Sequence, residues 1–141
     1  MTAESNIGGL LGKASRLLSN ELNKSLSQHK ITVEQWTLLA LLWTKDAQKQ
    51  KELQMALLKD KATINSLVNN LVKSDFVLKE QDKVDKRSFI ISLSEKGRSM
   101  QMLTIPIAMQ SITKATKNID TAELEITMKV LTQIINNLIK E

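Results

Sequence analysis

Between Asp60 and Leu93 the spacing of apolar residues changes from three and four to two, and this change limits the folds open to the chain. Ile64, Leu67, Val68, Leu71 and Val72 fall on one face of a helix predicted from Lys61 to Ser74. Asp60 stands where its carboxylate can cap the first free amides. Phe89, Ile91 and Leu93 then alternate with Ser88, Ile90 and Ser92, the pattern of a strand with one buried face. "FVLKEQ" reads as its partner strand, so the charged cluster Asp82, Lys83, Asp85, Lys86 and Arg87 becomes a hairpin tip.

Helices are predicted on both sides of this unit. Ile7, Leu10, Leu11, Ala14, Leu17, Leu18, Leu22 and Leu26 form one stripe over residues 5–28. Thr32 followed by Gln35 fits a capping box that opens a helix burying Trp36, Leu39, Ala40 and Trp43. Residues 44–50 read as a polar connection, and 50–59 as a short helix with Leu53, Ala56 and Leu57 inward. Ser94 and Glu95 start a long helix that contains Pro106, the only proline, expected to kink it or cost one backbone hydrogen bond. Asp120 is expected to cap the last helix, whose Leu124, Met128, Leu131, Ile135 and Leu138 recur at steps of four and three. Two amphipathic terminal helices on a chain this small predict burial against a second copy.

Composition narrows the chemistry. The chain has no cysteine and one histidine, His29, which removes disulfides, thiolate metal sites and the usual base of a catalytic triad. No convergent acid–base set is visible around acids such as Glu34 or Asp82, so no enzyme, metal or cofactor is expected. The polar start "MTAESN" lacks the pattern of a secretory signal, and no apolar run approaches the roughly 20 residues that span a bilayer. A cytoplasmic protein without a membrane partner is expected. The net charge of +5 leans towards a polyanion.

A short helix and tight turn feeding a second helix, followed by a basic hairpin, is the winged helix-turn-helix order. "ITVEQWTLLALL", "KELQMALLKDKATINSLVNNLVKSDFVLKE" and above all "DKVDKRSFIISLSEKG" resemble the multiple-antibiotic-resistance regulator (MarR) family, whose wing has Asp-x-Arg, an alternating strand, an acid and a glycine. The resemblance covers nearly the whole chain. It implies a mainly α fold with a small β-hairpin wing, one domain over 1–141, with a DNA-binding lobe at 31–97 and dimerisation helices at 5–30 and 98–141. It further implies a homodimeric regulator, typically a repressor, on a pseudo-palindromic operator in double-stranded DNA. A small aromatic or phenolic effector is implied as the signal.

The resemblance sends the helix from Lys61 into the major groove and the tip towards the minor groove. Asn65, Ser66, Asn69 and Asn70, with Thr63, are candidate base readers, since an Asn amide can contact adenine through both its atoms and hydroxyls serve several bases. The plainer reading of that face is a neutral solvated surface. Lys61, Lys73 and Lys83 are candidate phosphate partners, with Lys86 beside them on the tip; Arg87 suits a narrow A·T-rich groove, and Asp85 can hold it in place. Ser66 and Asn70 stand where the family often carries arginines. Residues 45–87 hold ten basic and seven acidic side chains, a net of +3, so the wing is expected to supply an unusual share of the affinity. Trp36 and Trp43 are expected in the core, and His29 at a helix end. Met100, Met102 and Met109 could line a pocket or fill the core. The competing reading is a DNA-independent helical dimer that serves as a protein-interaction module.

Overall fold

A computed structural model describes Thr2 and residues 5–139. The element order is α1 (Ile7–Leu26), a 3₁₀ turn (Ser27–His29), α2 (Val33–Thr44), β1 (Gln48–Lys49), α3 (Gln50–Leu57), α4 (Lys61–Lys73), β2 (Val77–Gln81), β3 (Phe89–Leu93), α5 (Glu95–Ala115) and α6 (Thr121–Ile139). The chain divides into two compact units, Met1–Ser111 and Ile112–Glu141.

In the first unit the core is built where α2, α3, α4 and the sheet meet. Leu38, Leu39, Leu42, Leu53, Ile64, Val68, Leu71 and Ile91 are fully buried there. Two of the predicted caps hold: Thr32 and Gln35 form a reciprocal capping box, and Asp60 accepts from the Thr63 amide at 2.7 Å. Asp75 follows α4 in the left-handed conformation, φ 62°, where a glycine more commonly sits.

Sequence expectations about burial are corrected at five residues. Leu38, Leu39 and Leu42 are the buried residues of α2, while Trp36 and Trp43 are half-buried at its edge. There each indole N–H reaches α5, Trp36 to the Thr104 hydroxyl at 2.8 Å and Trp43 to the Gly97 carbonyl at 2.9 Å. An indole satisfied this way gains more at the boundary than at the centre. Ala56 and Val72 lie on solvent flanks of their helices. Phe89, expected inward, is 39% exposed because β3 has left the core at that end.

The sheet has a strand that the sequence reading placed in a connection. β3 is central, paired antiparallel with β2 (Val77 opposite Leu93) and with the two residues of β1 (Gln48 opposite Ile91). Asp46 secures this corner: its Oδ1 accepts from the Leu93 amide at 2.9 Å, and its Oδ2 from Arg98 at 3.3 Å. Gly97, in the first turn of α5, packs so closely on the residue before β2 that a Cβ there would lie 2.0 Å from the Phe76 carbonyl oxygen.

In α1 only Leu22 and Leu26 are buried, and Ile7, Leu10 and Leu17 face outward. In the second unit α6 buries none of its described residues; Ile126, Met128, Val130, Ile135 and Leu138 are all exposed.

Candidate nucleic-acid interface

The hairpin tip is ordered by its acids. Asp85 Oδ1 accepts from the Arg87 amide at 3.1 Å and from Arg87 Nε at 3.4 Å, and Asp85 Oδ2 accepts from the Ser88 hydroxyl at 3.1 Å. These bonds favour the ionised carboxylate; the Arg87 amide first, then the Ser88 hydroxyl, hold it below the ordinary range. Asp82 orders the chain just before it, accepting from the Val84 amide at 3.0 Å and pairing with Lys49 of β1 at 3.8 Å. With both acids half-buried and engaged, the tip presents Lys83, Lys86 and Arg87 outward, the arginine side chain 93% exposed. Val84, 95% exposed, adds an apolar point between them.

The outer face of α4 carries the other candidates. Lys61, Thr63, Asn65, Ser66, Asn69, Asn70 and Lys73 are all exposed, because the helix buries only Ile64, Leu67, Val68 and Leu71. The structure sorts them onto two flanks. Lys61 and Asn65 share with Arg87 a 590 Å³ concavity between α3, α4 and the strands. Thr63, Ser66 and Asn70 line a shallower hollow of 390 Å³ opposite Glu34. Asn69, Lys73, Lys83 and Lys86 line neither.

The first concavity also contains residues that sequence reasoning missed: Gln50, Lys51, Gln54 and Lys79. Lys79 showed its charge within "FVLKEQ" but not its place, half-buried opposite Ile91. Gln50 gave no signal; it reaches the concavity because β1 pairs with β3 and α3 starts at the next residue. Gln50 Nε2 donates to Asn65 Oδ1 at 3.0 Å, and Lys79 Nζ donates to the same oxygen at 3.4 Å while lying 4.5 Å above the Phe89 ring. Among the described residues no group of three or more His, Asp or Glu could hold a metal ion, and no helix is long and apolar enough to cross a membrane.

A helix face of short polar side chains beside a hairpin with three outward cations is suited to a surface that alternates phosphates and base edges. Comparison with known proteins gives the same direction. The sequence model of the MarR family matches residues 31–89. The HTH-type transcriptional regulator TtmR of Methylorubrum extorquens (strain PA1) is 32% identical over 76 residues, which are 54% of this chain and 39% of that protein. The chain therefore spans well under half the length of that relative. The MarR protein of Peptoclostridium difficile superposes with a TM-score of 0.89 at 28% identity, over 97% of this chain and 90% of its own. Reduced AbfR bound to DNA superposes with a TM-score of 0.74 at 25% identity, over 93% and 90%.

Proposed function

We propose that the chain is a MarR-type DNA-binding transcriptional regulator, a ligand-responsive repressor acting as a homodimer on a pseudo-palindromic operator. The observation that carries the reading is the wing tip. Two acids accept from backbone amides of the tip, and the three cations beside them stay exposed, Arg87 with its Nε steadied by Asp85. A hairpin kept only for solubility has no need of that division. The helix α4 enters the major groove, where Thr63, Asn65, Ser66, Asn69 and Asn70 meet base edges, and Lys61 and Lys73 meet phosphates. Lys83 and Lys86 neutralise the flanking backbone, and Arg87 enters the adjacent minor groove, supported by Asp85.

The homodimer rests on exposed apolar surface, with Ile7, Leu10 and Leu17 on α1 and the outward residues of α6 each unaccounted for in the single chain. It makes residues 5–30 and 98–141 the dimerisation helices and 31–97 the DNA-binding lobe. Sedimentation velocity should give twice the chain mass. This reading places the protein in the cytoplasm, and the resemblance to MarR regulators supports a small aromatic or phenolic effector. Such a ligand should raise the melting temperature of the protein and weaken its DNA complex.

The test is a titration of the purified protein against its own upstream DNA at several salt concentrations. A sequence-preferring complex whose log affinity falls linearly with log salt, by roughly 0.9 per phosphate contact, is expected. Equal affinity for random DNA would reduce the protein to a non-specific binder. A dimer with no DNA complex at any salt would favour the protein-interaction module.

A further inference from the structure

We infer that Gln50 and Lys79 are positioning residues that turn the amide of Asn65 so that it reads the major groove as a hydrogen-bond donor, selecting guanine rather than adenine. The inference rests on the DNA-binding reading of α4 and sharpens it to one base contact.

The Lys79 ammonium group donates and never accepts, so the Asn65 atom at 3.4 Å from it must be the oxygen. That choice fixes the next one. Gln50 approaches the same oxygen at 3.0 Å, so it must present Nε2. Its own Oε1 is then buried with no hydrogen-bond partner, an unfavourable arrangement. Reversing the Gln50 amide would bring two oxygens together and bury an unpartnered NH₂ instead. The orientation is thus imposed by the lysine and carried through Asn65, and it holds although it leaves a buried acceptor unsatisfied.

The lysine is itself located. Its position on β2 is set opposite Ile91 of β3, and its Nζ lies 4.5 Å above the Phe89 ring, where the face of the π system favours a cation. The same two strands carry the wing, so the wing and the reader on α4 are mechanically joined.

With two donors on Oδ1, the terminus of Asn65 left for a base is Nδ2. An asparagine with a free carbonyl contacts adenine through both atoms, accepting from N6 and donating to N7. Here the accepting half is engaged. Guanine offers two acceptors, N7 and O6, to a donor-only amide, whereas the N6 amino group of adenine meets it donor against donor. Guanine is favoured at the Asn65 position by roughly tenfold, the discrimination typical of one good base contact.

The experiment uses the full chain. Bound duplexes are selected from a randomised pool, and the position read by Asn65 is found as the one whose identity matters to the wild type but not to Asn65→Ala. Titration of single-base variants at that position should give guanine over adenine by roughly tenfold for the wild type and for Lys79→Arg. The double variant Gln50→Leu, Lys79→Met frees Oδ1, and adenine should become the preferred purine; an overall loss of affinity does not affect this order. Gln50→Leu alone should melt no lower than the wild type, because it removes the unpartnered oxygen at similar volume. A wild-type preference for adenine, an unchanged order in the double variant, or a lowered melting point for Gln50→Leu overturns the inference and leaves DNA binding intact. A pool that yields no preferred sequence overturns the DNA reading and this inference together.

Discussion

Gly97→Ala and Gly12→Ala make the same chemical change in two helices and should move stability in opposite directions. A Cβ at position 97 would lie 2.0 Å from the Phe76 oxygen, 3.1 Å from its carbonyl carbon and 3.2 Å from Leu93 Cδ2. Ordinary contact begins near 3.4 Å, so backbone must part by about 1.4 Å (3.4 less 2.0). Neither side gives easily. The Phe76 oxygen accepts from the Ser94 amide at 3.1 Å, the Gly97 amide donates to Ser94 Oγ at 3.0 Å, and the Gly97 carbonyl accepts from Trp43. Overpacking costs about 1–3 kcal/mol, and one weakened hydrogen bond adds about 1 kcal/mol. The helix propensity gained by replacing glycine returns at most about 1 kcal/mol. The net loss is about 1–3 kcal/mol, or roughly 4–12 °C in Tm for a chain of this size. At position 12 the new methyl meets only the end of the Arg16 side chain at 3.4 Å, so the propensity gain survives and Tm should rise by roughly 2–4 °C. Circular dichroism melts at one fixed protein concentration compare the three proteins. A Gly97→Ala protein that melts at or above the wild type would refute the reasoning.

Arg87→Ala should weaken specific DNA binding by about 1–3 kcal/mol, with the loss concentrated on A·T-rich flanks; a loss spread evenly over all sequences would reduce Arg87 to a phosphate contact. Asp85 and Asp60 both have folded-state carboxyls below their ordinary 3.8, so their contributions are complete above that value and fade as the pH falls through it towards the lower folded value. The protection of the Arg87 and Thr63 amides relative to intrinsic exchange should fall across that window before global unfolding; unchanged protection would show that the carboxylates do not order these turns. Trp36→Phe leaves the fully buried Thr104 hydroxyl without its indole donor and should cost about 1–2 kcal/mol in a urea titration. Adding Thr104→Val should recover part of that loss, and strict additivity of the two changes would deny the hydrogen bond.

Where a side chain answers to its own helix, the sequence was sufficient. Thr32, Gln35 and Asp60 cap as their spacing predicts, and the stripe of α4 is buried through Leu71. The period of two located β3 for the same reason. Legibility ended where a partner distant in sequence decides. α2 is apolar on nearly every side, so its pattern did not point, and the tryptophans turned to the edge to find α5. A strand of two residues carries no period, so β1 was invisible, and with it the route by which Gln50 reaches Asn65. The wing showed its charges but not their division of labour, because only the folded turn reveals that Asp82 and Asp85 point back at the chain.

The placement of β3 between two other strands also bears on aggregation. "FIISL" combines high β propensity with no charge, the kind of segment that templates intermolecular cross-β assembly when its edge is open. Here one of its edges is paired with β2 along all five residues, and the other is covered at its middle, Ile90 and Ile91, by the two residues of β1. The outer strands are poor templates by contrast: β1 is too short to recruit a partner, and β2 carries Lys79 and Glu80 along its edge. Two residues of strand therefore let a hairpin be pushed out towards solvent without becoming a nucleus for fibrils.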